Sequence, residues 1–238
     1  MNRALVVAAS GMAAQQMHLD VVADNLANAD VAGFKEAAAA FTDVRAPGGA
    51  GLGVMPSGTH PVFEQGKLEK SGGPFDVAIQ GAGFFIVTNG SQTAYTRNGE
   101  FHRSPSGALE TNDGWRVPGV RIPSDATSVS VQPDGRVHCE RGRGERSDCG
   151  RIVLSTFPAP EALDPIGDAR FAATRRSGAP VRLLPGAEHG TTIAFGMLER
   201  SNVSIIGSMM EILAAQRAYE ANAKGVQAAD EMQRIEVC

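Results

Sequence analysis

Leu5-Val6-Val7-Ala8-Ala9-Ser10-Gly11-Met12-Ala13-Ala14-Gln15-Gln16-Met17-His18-Leu19-Asp20-Val21-Val22-Ala23-Asp24-Asn25-Leu26-Ala27-Asn28-Ala29 is the stretch on which the fold turns. Leu5, Ala8, Met12, Gln15, Leu19, Val22, Leu26 and Ala29 recur at alternating steps of three and four, a heptad stripe that predicts one helix over residues 2–29. No proline precedes Pro47, and Gly11 is the only glycine before Gly33. At the usual rise per residue such a helix is roughly 40 Å long. The stripe is narrow and partly small or polar, so the helix needs a partner. Asn25, Asn28 and Asp30 crowd its end, and Gly33 with Phe34 reads as a bend that uses a left-handed glycine. Arg3 followed by Ala4 to Ala14 has the outline of a short signal peptide. The period runs on in register to Ala29, however, which favours one uncleaved helix.

The other end mirrors this pattern. Ile205, Met209, Ile212, Gln216, Tyr219, Ala223 and Val226 again alternate steps of four and three. Ser204 is the expected N-cap, and Ser208 with Glu211 has capping-box spacing.

Between the helices the chain changes character. Residues 46–60 read as a loop rich in Gly and Pro. From Phe75 to Val137, short apolar runs alternate with the turn signals Asn89-Gly90, Asn98-Gly99, Ser106-Gly107, Asp113-Gly114 and Asp134-Gly135, the pattern of an antiparallel meander. Runs 84–87, 129–131, 151–157 and 191–197 are the expected strands. Aromatics are only 5% of the chain, so the core is expected to rest on Val, Ile, Leu, Met and Ala. The fold class is therefore α+β: a β-rich central domain of antiparallel strands, flanked by long N- and C-terminal heptad helices that pair as a coiled coil. The expected divisions are residues 1–35 (first helix), 36–72 (linker and extended connection), 73–200 (β-rich domain) and 201–238 (second helix).

The sequence offers little chemistry. A formal net charge of -4 lacks the basic footprint of a nucleic-acid binder, and no apolar run approaches a membrane span. The run Gly48-Gly49-Ala50-Gly51-Leu52-Gly53 has no following Lys-Ser/Thr and reads as a flexible linker rather than a phosphate loop. His18, His60, His102, His138 and His189 are scattered, with no metal-ligand spacing, and His18 lies off the stripe on an expected solvated face. No catalytic, metal-binding or cofactor-binding residue is assigned, and no enzymatic activity is expected. Phe84 and Phe85 are read as core, and Arg97 with Asn98 as hairpin residues. Cys139 and Cys149 either stay reduced or close a disulfide in an oxidising compartment, while Cys238 stays free or pairs between chains.

Four blocks carry a resemblance. Asp24-Asn25-Leu26-Ala27-Asn28 with Gly33-Phe34-Lys35 is the first, and the run from Gly73-Pro74-Phe75-Asp76 through Gly81-Ala82-Gly83-Phe84-Phe85 is the second. Ala94-Tyr95-Thr96-Arg97-Asn98-Gly99-Glu100-Phe101 is the third. Leu198-Glu199-Arg200-Ser201-Asn202-Val203 with Ala215-Gln216-Arg217-Ala218-Tyr219-Glu220-Ala221-Asn222 is the fourth. In this order they resemble the bacterial flagellar axial proteins, the rod and hook subunits of the basal body. The start Met1-Asn2-Arg3-Ala4-Leu5 and the Gly11-Met12-Ala13-Ala14-Gln15-Gln16 block point to the distal-rod members. The short linker between Phe41 and Phe63 keeps the proximal members open as the alternative.

The resemblance implies a structural subunit that polymerises helically as the drive shaft from motor to hook. It implies export by the flagellar type III apparatus without a cleaved signal peptide, and a place in the periplasm-spanning rod. Implied partners are further copies of the chain, other rod and hook subunits, the surrounding basal-body ring proteins and the export apparatus. Leu5, Met12, Leu19 and Leu26 would then face Ile205, Met209, Ile212, Gln216, Tyr219, Ala223 and Val226 in an inner helical layer. Asn25 and Asn28 would bond at the helix end within or between subunits. The rival from another class is a secreted β-domain binding module braced by a helical hairpin, a stable monomer with ordered ends.

Overall fold

The computed structural model describes residues 3–45, 51–142, 145–186 and 190–236, and the chain divides into two compact units. His189, Cys238 and the 46–50 part of the Gly/Pro-rich segment lie outside the described residues. The helical unit comprises residues 1–29, 36–62 and 203–238; the β unit comprises 30–35 and 63–202.

In the helical unit, α1 (Arg3–Ala27) and α2 (Ile205–Glu236) are the two predicted helices. They run antiparallel: Gly11 of α1 lies beside Asn222 of α2, and His18 Nε2 is 3.7 Å from the Glu211 carboxylate. Ser204 caps α2, its hydroxyl accepting the Gly207 N–H at 3.2 Å. Ser208, by contrast, lies inside the helix and is buried, so its spacing to Glu211 is not a capping box. His18 is likewise not a freely solvated residue but sits against α2.

The reading of 46–60 as a loop needs correction. Residues 51–61 form β2 (Gly51–Pro61), which pairs antiparallel with β1 (Ala37–Arg45) in a two-stranded ribbon. Proline is tolerated because a two-stranded ribbon is all edge. The register shifts between Ala40 and Phe41, where Gly58 and Pro56 are the successive partners and Ser57 is bulged out. Gly53 (φ 109) lies against Ser10 of α1, and the Val54 N–H donates to the Ser10 hydroxyl at 3.2 Å. Any Cβ at position 53 would collide with that hydroxyl.

Among the described residues the β unit holds sixteen strands. In chain order these are β3 (Leu68–Lys70), β4 (Val77–Gln80), β5 (Phe84–Asn89), β6 (Gln92–Thr96), β7 (Phe101–Arg103), β8 (Ala108–Thr111), β9 (Arg116–Arg121), β10 (Ala126–Val131) and β11 (Arg136–Arg141). Then come β12 (Arg146–Arg151), β13 (Leu154–Thr156), β14 (Asp164–Gly167), β15 (Arg170–Ala172), β16 (Val181–Leu183), β17 (Thr192–Phe195) and β18 (Met197–Glu199). The main sheet runs β10-β11-β12-β9-β5-β6-β15-β14, with β7–β8 attached to β9 and β13–β16 attached to β5. The pairs β4–β17 and β3–β18 complete the unit, and all the described pairings are antiparallel. Four of the five turn signals join paired strands. Asn98-Gly99 does not: β6 and β7 are unpaired, and Gly99 instead packs on the Val77 carbonyl, where a side chain would clash.

Phe84 and Phe85 show why a strand buried on both faces reads as a continuous apolar run. Phe85 points into the larger core with Val77, Ile79, Val87, Leu109, Ile152 and Leu154. Phe84 points the other way, into a cluster with Tyr95, Phe157, Leu163 and Phe171, against which Phe63 packs edge-on at 4.9 Å. The few aromatics thus build a core of their own, contrary to expectation, and methionine contributes no fully buried side chain among the described residues. Cys139 and Cys149 are disulfide-bonded, with Cα atoms 6.0 Å apart, and tie β11 to β12 inside the larger core.

The β14–β15 hairpin turns through Asp168 (φ 51) and Ala169 (φ 53), both left-handed. A two-residue turn of this kind wants φ > 0 at both positions. Ala169→Gly is therefore expected to raise the stability of the β unit by about 0.5–1 kcal/mol. Denaturant unfolding checks this, and a destabilised variant would show that packing of the Ala169 methyl group outweighs its backbone strain.

Candidate assembly site

Side chains on the two terminal helices divide into faces. Toward α1, α2 presents Ser208, Ile212, Ala215 and Asn222, of which Ser208 and Ala215 are fully buried. From α1 the opposing residues are small as well: Gly11 and the buried Ala14. A Cβ on Gly11 would lie 2.9 Å from Asn222 Nδ2, so this glycine permits close approach. Leu5, Met12, Leu19 and Leu26 are half-buried, as are Ala223 and Val226.

The large apolar side chains of α2 lie elsewhere. Ile206 is 75% exposed, Met210 67%, Leu213 57% and Met209 53%, while Ile205 and Tyr219 are also exposed and Gln216 is in solvent. At about 100° per residue, the centre of this apolar arc lies about 140° around the axis from the face that meets α1. Within one chain, therefore, Met209 is turned away from the α1 stripe, while Ile205, Gln216 and Tyr219 lie nearer that side of the helix but are exposed. Ile206, Met210 and Leu213 are additions that the heptad reading missed. The signal was present in the doublets Ile205-Ile206, Met209-Met210 and Ile212-Leu213, which spread apolar surface too widely for one partner.

Asn25, only 1% exposed, serves the chain itself. Its Nδ2 donates to the Ala37 carbonyl and its Oδ1 accepts the Ala37 N–H, both at 2.8 Å. The amide thus acts as one more strand residue beside the first residue of β1. Asn28 stays local, donating to the Asp24 carbonyl at 2.9 Å.

Inside the β unit a second arrangement was not foreseen. Gly33 adopts φ 68, its N–H donates to the Glu199 carbonyl at 2.7 Å, and its α-carbon packs on the Arg97–Asn98 backbone so closely that no Cβ fits. Two residues on, Lys35 Nζ donates to Glu199 Oε1 and to the Glu64 carbonyl, each at 2.6 Å. Glu199 Oε1 also accepts the Gly66 N–H at 2.9 Å. Arg97, read from sequence as a hairpin residue, is instead 4% exposed: it donates to Glu199 Oε2 at 3.2 Å and to the Gly81 carbonyl at 2.9 Å, and lies over the Phe84 ring. Two cations thus share one fully buried carboxylate. Burial pushes both the Lys35 ammonium and the Arg97 guanidinium below their ordinary pKa values, against the pull of Glu199 in each case.

The described residues contain no group of His, Cys, Asp and Glu side chains with metal-holding geometry, and no described helix is long and apolar enough to cross a membrane. The features that stand out are two packed helices with an uncovered apolar arc, and a charged latch within the β unit.

Comparison with known proteins bears directly on these features. Residues 5–35, which include most of α1 and the latch's Gly33 and Lys35, match the family described as flagella basal body rod protein. Residues 78–139 match the flagellar hook protein FlgE/F/G D1 domain, and residues 195–235 match the flagellar basal body rod FlgEFG protein C-terminal family. The chain is 38% identical to the flagellar basal-body rod protein FlgG of Agrobacterium fabrum, covering 98% of this chain and 97% of that one. This chain belongs to the flagellar basal-body rod proteins. It is 37% identical to FlgG of Caulobacter vibrioides over 97% of its length (96% of that protein's), and 35% identical to FlgF of the same organism over 100% (97% of that protein's). A rod protein of this family is a structural subunit of the flagellar basal body, and the FlgG matches place the chain with the distal-rod members. The rod family's N- and C-terminal models fall on the two helices and its D1 model on the β unit.

Proposed function

We propose that this rod subunit polymerises helically through its terminal helices, forming a length of drive shaft that passes torque from the motor toward the hook. The supporting observation is the uncovered apolar arc Ile206, Met209, Met210 and Leu213, set apart from the α1-facing side of α2. A lone chain gains nothing by keeping four large apolar side chains in water, whereas a neighbouring helix would bury them. In this reading Leu5, Met12, Leu19 and Leu26 join Ile205, Met209, Ile212, Gln216, Tyr219, Ala223 and Val226 in an inner layer of coiled-coil packing between subunits. Contacts made head to tail, rather than about a closed dimer axis, give an open filament. The partners are further copies of the chain, adjoining rod and hook subunits and the basal-body rings. The place is the periplasm-spanning rod, reached through the type III export apparatus without a cleaved signal peptide. No chemical step is required: stiffness comes from packing.

Charge on the arc tests this reading. The double variant Met210→Glu/Leu213→Glu is expected to fold, because both side chains are already in solvent, with an unfolding midpoint close to that of the parent. Rod assembly is expected to fall at least tenfold, read as hook-bearing basal bodies per cell with the secreted chain quantified in parallel. Normal numbers of basal bodies would remove the arc from the assembly surface.

A further inference from the structure

We infer that Glu199 is a positioning residue: its buried carboxylate latches residues 30–35 as a strap onto the β unit and fixes the points from which the chain departs for the helical unit. Residues 30–35 form no strand. Their ties to the β unit end on a few residues. The Gly33 N–H goes to the Glu199 carbonyl, Lys35 Nζ to the Glu199 carboxylate and the Glu64 carbonyl, and Asp30 accepts from the Arg200 guanidinium at 2.7 Å.

The same carboxylate therefore gathers three stretches of chain. Lys35 is the last residue before the chain leaves for β1, Glu64 and Gly66 follow its return from β2, and Glu199 lies just ahead of its departure for α2. Lys35 and Glu199 are 164 residues apart in sequence, so the latch closes only once β18 is in place.

Plain stability does not call for such a design. Apolar side chains of similar volume commonly stabilise a core as well as a buried ion cluster does, or better. Hydrogen bonds with fixed directions do what apolar packing does not: they specify one position for the strap. Two cations on one carboxylate also make the strap the releasable member. If Lys35 leaves for water, Arg97 and Glu199 remain as a neutral pair.

The assembly part of this inference rests on the rod reading; the latch itself does not. Lys35→Met in the full-length chain removes one cation and keeps most of the stem volume. Amide exchange is expected to show Gly33 protection reduced at least tenfold, with Val87 in β5 changed less than threefold. In cells the same variant is expected to be exported at parental levels and to give at least tenfold fewer completed rods. Unchanged Gly33 protection, or an equal loss at Gly33 and Val87, would overturn the latch by making Lys35 idle or a general stabiliser. A freed strap with normal rod numbers would overturn the positioning role while leaving rod membership untouched. Should Lys35→Met be insoluble, Lys35→Gln decides by the same readouts, since it too removes one cation and leaves Arg97 and Glu199 as a neutral pair.

Discussion

Glu199→Ala is expected to lower the stability of the β unit by about 3–5 kcal/mol, whereas Arg97→Met is expected to change it by about 1 kcal/mol or less. The asymmetry follows from counting charge. Among the described residues Glu199 is the only anion paired with Lys35 and Arg97, and all three side chains are almost wholly out of solvent. Removing it strands two buried cations, and it also deprives the Gly66 N–H of its acceptor. Removing Arg97 leaves Lys35 and Glu199 as a matched pair, and methionine covers the Phe84 ring that the guanidinium covered. Trp115 is the one tryptophan and is buried in the larger core, so its fluorescence during denaturant unfolding reports on this unit. Equal losses for the two variants would show that the three groups do not act as a charge cluster.

The Cys139→Ser/Cys149→Ser variant is expected to lose about 3 kcal/mol, seen as a lower unfolding midpoint of the same Trp115 signal. The loop closed by the bridge has a sequence separation of 10, so the chain-entropy contribution is moderate. Both sulfurs lie in the core, and serine would place two hydroxyl groups among Val137, Val120 and Ile152. Reductant should bring the parent chain toward the variant's midpoint and raise its mass by about 2 Da, since each bridge reduced gains two protons and two electrons from the reductant. A parent chain whose mass and midpoint ignore reductant would show that the bridge is not formed in solution.

Legibility differed from part to part, for physical reasons. The helices were plain because a three-four period held over many turns matches the helical repeat and no strand pattern. Which face of α2 meets α1 was not plain. Ile205, Met209 and Ile212 share their spacing with Ile206, Met210 and Leu213, and periodicity gives the width of an apolar arc without saying what covers each part. Ribbon strand β2 was hidden by Gly51, Gly53, Pro56, Gly58 and Pro61, residues that usually end structure. A two-stranded ribbon with bulges accepts them because half its backbone groups face solvent or another element. Within the β unit, Asn98-Gly99 has the composition of a hairpin turn, yet the site is a corner where two backbones touch. The latch was the least legible feature. Lys35, Arg97 and Glu199 each stood inside a recognised block, but nothing local announces that three charges so far apart in sequence meet out of solvent.

Assembly through the terminal helices is tested most directly by a reconstruction of the rod at side-chain resolution, asking what lies over Ile206, Met210 and Leu213. These three side chains are expected to be buried against helices of neighbouring subunits, with Ser208 and Ala215 still facing α1 of their own chain. Rod density in which Ile206, Met210 and Leu213 remain in open solvent, with the subunits joined only through their β units, would contradict it.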